Sequence, residues 1–211
     1  MDRWVAMAEL TDEDGYLLVK TARRAAEEYV VSGRRIKLDE EFRKRFSEKR
    51  GVFVTINALR GREHELRGCI GLVQPNIPLS EALVEAAISA ATQDPRFEPV
   101  RPEEFSNLIF EVSVLTQPER LKASSPKEYP NLIKIGRDGL IVEYRFLSGL
   151  LLPQVPVEEG WDAEQFLSYA CMKAGAPPDV WLLPETKIYR FEAEVFTEEE
   201  PNGKVVRRRL I

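Results

Sequence analysis

Helix-like and strand-like segments follow one another in this chain without regular alternation. A parallel α/β fold needs strands and helices in turn, whereas runs of strands interrupted by helices are typical of antiparallel sheets. The order therefore predicts an α+β protein with a mainly antiparallel sheet flanked by helices. At 211 residues the chain is long enough for a sizeable core in one folding unit.

The first predicted helix begins after Thr11, a good N-cap followed by three acidic residues, and stops near Ser32-Gly33. In the first half of the chain, the pattern then predicts a helix over 39–50, a hairpin of strands 51–58 and 66–73 with a polar loop, and a helix from Pro78. In the second half, it predicts a strand over 108–115, an edge strand or buried extended loop over 149–156, a helix that starts at Asp162 and a last strand over 186–196.

Charge and cysteine content limit the setting of the protein. The 30 Lys and Arg residues against 35 Asp and Glu leave a net charge of −5, which does not favour sequence-independent attachment to nucleic acid. Two cysteines without C-x-x-C spacing indicate free thiols in a reducing compartment. We find no apolar run of membrane-spanning length and no basic-apolar leader within residues 1–7, so we expect a cytoplasmic protein without a membrane partner.

The segment Leu66-Arg67-Gly68-Cys69-Ile70-Gly71 is the most unusual in the chain, because two glycines weaken a strand unless a bulge or a close approach requires them. In a regular strand Arg67 and Cys69 share one face, and a guanidinium there would lower the pKa of the thiol. Alternatively, Cys69 is a small buried residue and the glycines admit a crossing helix. The spacing leaves both interpretations open.

Two other segments carry weaker signals. His64, the single histidine, has the opposite parity to Cys69 and lies roughly 16 Å away in an extended chain, so we predict an exposed turn residue. The segment 94–97 either lines a pocket or forms a local turn in which Asp94 accepts backbone hydrogen bonds. Nucleotide-binding and zinc-binding motifs are missing from the sequence, so no metal and no cofactor are predicted.

The hexapeptide Leu66-Arg67-Gly68-Cys69-Ile70-Gly71 resembles the hallmark motif of the AMMECR family. Three more stretches match that family in order and spacing. They are Asp94-Pro95-Arg96-Phe97, Leu152-Pro153-Gln154-Val155 and Glu158-Glu159-Gly160-Trp161. The resemblance places an AMMECR-type domain over residues 1–196 and leaves 197–211 as a C-terminal tail or hairpin.

The resemblance implies two unequal lobes with the hexapeptide near a cleft between them. The matched residues that would form a site are Cys69, Glu158 and Asp94 as catalytic groups and Arg67 and Arg96 as substrate-binding groups. Family members occur beside Memo-type and radical SAM proteins, which implies a shared modification pathway. The resemblance does not define a reaction.

Two hypotheses follow. In the first, the protein is an enzyme or a component of an enzyme system, in which Cys69 attacks or holds a substrate, an arginine binds an anionic group, and Glu158 or Asp94 handles protons. In the second, the protein is a non-catalytic module that binds RNA or a partner protein through the cleft, and the acidic net charge counts against RNA.

Overall fold

The computed structural model describes residues 9–61, 63–73 and 76–208. Residues 1–8, Arg62 of the predicted hairpin loop and residues 209–211 of the predicted tail lie outside the described residues. The helices are α1 (Asp12–Ser32), α2 (Glu40–Arg45), α3 (Leu79–Thr92), α4 (Tyr129–Leu132), α5 (Gln154–Glu158) and α6 (Ala163–Lys173), with 3₁₀ helices over Pro102–Asn107, Pro126–Glu128 and Val180–Leu182. The strands are β1 (Val52–Arg60), β2 (Glu63–Leu72), β3 (Leu108–Leu115), β4 (Glu119–Arg120), β5 (Gly139–Tyr144), β6 (Leu147–Leu151), β7 (Lys187–Phe191), β8 (Ala193–Glu198) and β9 (Val205–Arg208).

These strands form two sheets. The five-stranded sheet has the order β2-β1-β3-β8-β9, and the four-stranded sheet has the order β4-β7-β5-β6. The strand pairs β1·β2, β1·β3, β5·β6, β5·β7 and β8·β9 are all antiparallel. The predicted α+β class, with antiparallel strands flanked by helices, is confirmed.

The chain divides into two compact units. The first comprises the described residues of 9–115 together with 194–208 and holds the five-stranded sheet, and the second comprises 116–193 and holds the four-stranded sheet. The β8·β9 hairpin carries the described part of the predicted tail into the sheet of the first unit. The cleft that the resemblance implies stays a prediction.

Each unit has its own hydrophobic core. In the first unit α1 and α3 pack against the sheet, so that Leu18, Leu83 and Val54 are fully buried. In the second unit α6 packs against β5 and β6, and Phe166 is fully buried there. A fully buried Leu or Phe side chain contributes about 1.5–3 kcal/mol relative to an exposed one, so these packed faces hold the two sheets to their helices.

The ends of α1 follow the predicted caps. The Thr11 side chain accepts a hydrogen bond from the backbone N–H of Asp14, and the Asp14 carboxylate accepts one from the backbone of Thr11 in return. Gly33 ends the helix with φ of 70°, a left-handed conformation that a side chain would disfavour.

Two predictions for segments of the first unit are wrong in detail. The helix predicted over 39–50 ends at Arg45, because the carbonyls of Phe46 and Glu48 accept hydrogen bonds from the first N–H groups of α3. The predicted polar loop is largely strand, since β1 and β2 stay paired out to Arg60 and Glu63. His64 therefore lies exposed in β2, opposite Leu59, rather than in a turn.

Two later predictions are also corrected. The segment 149–156 is neither one strand nor one loop, since the edge strand β6 ends at Leu151 and the short helix α5 follows. The strand predicted over 186–196 is two strands of different sheets. The chain changes sheet at Glu192, whose backbone N–H donates to the Thr116 hydroxyl and whose carbonyl accepts from the Thr116 N–H.

Candidate functional site

The hexapeptide lies in β2, at one edge of the five-stranded sheet. The register opposes Gly68 to Ile56 and Leu66 to Asn57, so Arg67 is an extra residue in the strand. Such a β-bulge interrupts the alternation of side chains between the two faces. The expectation that Arg67 and Cys69 share a face by simple alternation therefore does not hold.

The two glycines of the hexapeptide permit close packing. A Cβ atom on Gly68 would lie 2.1 Å from the backbone oxygen of Ala90 in α3, and one on Gly71 would lie 2.3 Å from the Phe53 ring. Neither distance is possible between real atoms without movement of the neighbour. Gly68 thus allows α3 to cross close to β2, which was one of the two interpretations of the glycines.

Cys69 lies on the face of the sheet opposite α1 and α3. Its partner in β1 is Thr55, whose neighbours Val54 and Ile56 point into the helix-covered core. The Thr55 hydroxyl donates a hydrogen bond of 3.2 Å to the Cys69 sulfur. The residue keeps partial solvent exposure, unlike the fully buried Cys171 of α6.

The loop after α3 binds the exposed edge of β2 at Cys69. The Cys69 backbone N–H donates to Asp94 Oδ2 at 2.8 Å, and Arg96 Nη2 donates to the Cys69 carbonyl at 3.4 Å. These two contacts occupy backbone groups that an edge strand would otherwise leave to water or to another chain. The structure therefore brings Asp94 and Arg96 to the backbone of Cys69.

Asp94 is held as a carboxylate. Its Oδ1 accepts from the backbone N–H and Nε of Arg96, and its Oδ2 accepts from Arg96 Nη2 and the Cys69 N–H. Hydrogen bonds from the Arg96 side chain, helped by those from the two backbone amides, lower the pKa of Asp94 to about 2. With four donors the carboxylate is saturated. A proton transfer at Asp94 would require one of these bonds to open.

The surroundings of Cys69 favour the neutral thiol over the thiolate. Burial raises its pKa above the ordinary thiol value, and the nearby carboxylates of Asp94 and Glu111 add to this effect. The Thr55 hydroxyl and the Arg96 guanidinium act in the opposite direction but do not outweigh burial. The guanidinium that lowers the pKa of the thiol is therefore that of Arg96 rather than Arg67, and its effect is smaller than that of burial.

Arg67 is engaged elsewhere. Its Nε and Nη2 donate to the two carboxylate oxygens of Glu104 at 2.8 and 3.1 Å, and its Nη1 donates to the carbonyl of Glu98 at 2.8 Å. This bidentate geometry fixes the segment before β3 to the bulge in β2. A substrate anion at Arg67 would have to compete with the Glu104 carboxylate.

Glu158 belongs to the second unit, where it is the exposed last residue of α5. In the same family-like stretches, the buried Gln154 has a side-chain oxygen without a hydrogen-bond partner among the described residues. Trp161 stacks on Tyr169 with ring centroids 3.9 Å apart. The placement of Glu158 beside Cys69 stays a prediction.

Sequence reasoning missed Thr55, Glu111 and Ser113, which lie on the Cys69 face of the sheet. In β3 Glu111 is the partner of Thr55 and Ser113 is the partner of Phe53, so Cys69, Thr55 and Glu111 form one row across three strands. Glu111 is 5% exposed and binds Arg208 at 3.2 Å. The sequence did contain a signal for Glu111, because this acidic residue lies in the otherwise mainly apolar strand Leu108–Leu115 and acidic residues are rarely buried without a partner.

Two negative findings concern the described residues. Within them no three His, Cys, Asp or Glu side chains are grouped as a metal ion would need. None of their helices is long and apolar enough to cross a membrane.

Comparison with known proteins decides the family. The AMMECR1 family model matches residues 19–196, which is most of the chain. The chain belongs to the AMMECR1 family. This match spans α1 to β8 and includes the hexapeptide and the loop that binds it.

Relatives of this AMMECR1 protein occur in archaea. A protein of Thermococcus gammatolerans is 57% identical over 206 residues, covering 97% of this chain and 100% of its own. Protein MJ0810 of Methanocaldococcus jannaschii is 54% identical with the same coverage. The crystal structure of uncharacterized protein PH0010 from Pyrococcus horikoshii matches with a TM-score of 0.90 at 52% identity, over 95% of this chain and 98% of that one.

Proposed function

We propose that this AMMECR1 protein is an enzyme, or a component of an enzyme system, that uses the Cys69 thiol on an anionic substrate. The proposal rests on one observation: a single carboxylate holds a thiol-bearing residue and a guanidinium at the same position of β2. Asp94 binds the Cys69 backbone and the Arg96 side chain through the same carboxylate. In this proposal Asp94 is a positioning residue.

Arg96 is the group that would bind the substrate anion. Its side chain is 52% exposed, against 2% for Asp94, so the guanidinium reaches solvent while its anchor is buried. Its Nη1 donates no hydrogen bond to any acceptor among the described residues. A carboxylate or phosphate of the substrate would accept from this nitrogen beside the sulfur.

Cys69 would react as a nucleophile toward an electrophilic carbon of that substrate. The sulfur–carbon bond forms as the leaving group departs, and the thiol proton passes to a base. The saturated Asp94 is a poor acceptor for this proton. Glu111, in the same row across the sheet, would receive the proton through the Thr55 hydroxyl, which lies between Cys69 and Glu111 in that row. A substrate handed on by Memo-type and radical SAM partners would suit such a component.

Alkylation with a charged and a neutral reagent tests the proposal. Iodoacetate and iodoacetamide make the same bond to sulfur, but only iodoacetate carries a carboxylate for Arg96. We expect the ratio of the iodoacetate rate to the iodoacetamide rate to be higher at Cys69 than for free cysteine, and to fall to the free value in Arg96→Gln. Mass spectrometry follows Cys69 and Cys171 separately in each sample.

The control is Arg60→Gln, which removes a cation from the same hairpin that is paired with Glu65 rather than with Asp94. It should leave the rate ratio at Cys69 unchanged. A ratio at Cys69 no higher than that of free cysteine, or one that survives Arg96→Gln, contradicts the proposal. A Cys69→Ser protein that keeps full activity in a reconstituted pathway also contradicts it.

A non-catalytic binding module is the second candidate. The saturated carboxylate of Asp94 and the raised pKa of Cys69 favour this alternative, because both groups are then structural. It predicts that Cys69→Ser retains binding to an RNA or protein partner. The alkylation ratio separates the two candidates, since a structural thiol has no preference for the anionic reagent.

A further inference from the structure

Four cationic side chains surround an open depression of about 320 Å³ on the first unit, at the end of α1. Arg24 lies on the helix, and Arg34, Arg35 and Lys37 follow its left-handed cap at Gly33. All four are exposed. We name this set the basic depression, and none of its residues belongs to the Cys69 site.

The basic depression is only partly neutralised. Arg34 binds Glu28 at 3.1 Å and Arg35 binds Glu85 of α3 at 2.7 Å. Arg24 and Lys37 form no ion pair with any described residue, so four cations meet two carboxylates. Like charges held together destabilise a fold, and this concentration stands out in a chain of net charge −5.

We propose that the basic depression binds the phosphodiester backbone of a single nucleic-acid strand. An enclosed small-molecule site would need apolar walls, but Ile36 is the single apolar residue among those that line this depression. The lining also lacks an aromatic ring on which a base would stack. Contacts to phosphates without contacts to bases therefore fit the surface best, and RNA and DNA strands of equal length should bind alike.

The proposal makes a quantitative statement about salt. Each phosphate contact to a single strand contributes about −0.7 to the slope of log affinity against log salt. Four contacts predict a slope of about −2.8, which is a loss of about fifty-fold between 50 and 200 mM NaCl. In the double variant Arg24→Gln/Lys37→Gln, two contacts remain, and the loss falls to about seven-fold.

The test measures fluorescence anisotropy of labelled U12 and dT12 oligonucleotides with the full chain. We expect both to bind at 50 mM NaCl, with the salt slopes given above for the native protein and the double variant. Circular dichroism checks that the double variant keeps its fold, which we expect because neither side chain holds an ion pair among the described residues.

The matched control is Lys44→Gln/Lys49→Gln, which removes two exposed cations from the same unit outside the basic depression. It should keep the affinity and the slope of the native protein. Three results overturn the proposal: no binding of either oligonucleotide at 50 mM NaCl, an equal loss in the control variant, or tighter binding of a polyglutamate peptide of the same charge. Cys69 plays no part in any of these outcomes.

Discussion

The replacement Asp94→Asn tests the physical basis of the site most directly. An asparagine keeps the shape of the side chain but loses the charge and replaces one acceptor oxygen by an NH₂ donor. The four donors that now converge on Asp94, from Cys69 and Arg96, would meet an amide that cannot accept from all of them. At least one of these partly buried donors then loses its partner.

The magnitude follows from the pKa of Asp94, which falls from 3.8 to about 2 on folding. One pKa unit corresponds to about 1.4 kcal/mol, so the native structure favours the carboxylate by about 2 kcal/mol. The group has the lower pKa in the folded state, so its contribution is complete above pH 4 and is lost as the pH falls from 4 to 2. We expect Asp94→Asn to lower the free energy of unfolding by about 2 kcal/mol at pH 7.

Urea-induced unfolding at a series of pH values measures this contribution. The difference between the native protein and Asp94→Asn should be largest above pH 4 and should shrink toward pH 2, where Asp94 itself becomes protonated. Alkylation of Cys69 by iodoacetamide should be faster in Asp94→Asn, because a carboxylate that raises the pKa of the thiol has been removed.

Asp138→Asn is the matched control. Asp138 is fully buried in the second unit and accepts hydrogen bonds from the Lys134 N–H and the Arg137 guanidinium, which resembles the arrangement at Asp94. Its replacement should lower stability without changing the alkylation rate of Cys69. A loss below about 0.5 kcal/mol for Asp94→Asn at pH 7, or a loss that is the same at pH 2 and pH 7, would refute the reasoning.

Three further predictions concern packing, a buried ion pair and the thiols. Gly68→Ala should lower the free energy of unfolding by about 1–3 kcal/mol, because α3 must move to admit the methyl group; an unchanged urea midpoint would contradict this. Glu198→Gln should cost about 3 kcal/mol by the same assay, since the buried Arg23 then loses its charged partner at 2.6 Å. Iodoacetamide should alkylate Cys69 more slowly than free cysteine at pH 8, and Cys171, whose pKa burial raises to about 11, more slowly still; a faster Cys69 in a mass-spectrometric time course would show an activated thiol.

Local elements could be predicted because their signals lie within a few residues. Thr11 and Asp14 form the capping box that starts α1, and Asp162 and Gln165 form the one that starts α6. Each cap is complete within one helical turn, so neighbouring residues determine it without help from the rest of the chain. The strand Leu108–Leu115 could be predicted for a similar reason, because β-branched and aromatic residues occupy half of its eight positions.

The predicted ends of helices and strands were wrong where a hydrogen-bond partner far along the chain determines them. The carbonyls of Phe46 and Glu48 ended α2 early by accepting from α3, and the contact between Glu192 and Thr116 divided the last predicted strand between two sheets. The partners of Phe46 and Glu48 lie roughly thirty positions away, and the partner of Glu192 lies about eighty positions away. The spacing of residues within either segment therefore does not predict these contacts.

For the site, the sequence by itself determined which residue types were available: a thiol between two glycines, and an acid and a base in one short loop. Only the tertiary structure determined which of these side chains contact one another. Arg67 lies at the β-bulge, and its guanidinium binds Glu104. Because β2 is an edge strand, the Cys69 backbone N–H is open to Asp94. Burial then raised the pKa of the thiol. Desolvation and pairing depend on which distant segments meet, and periodicity along one strand carries no information about that meeting.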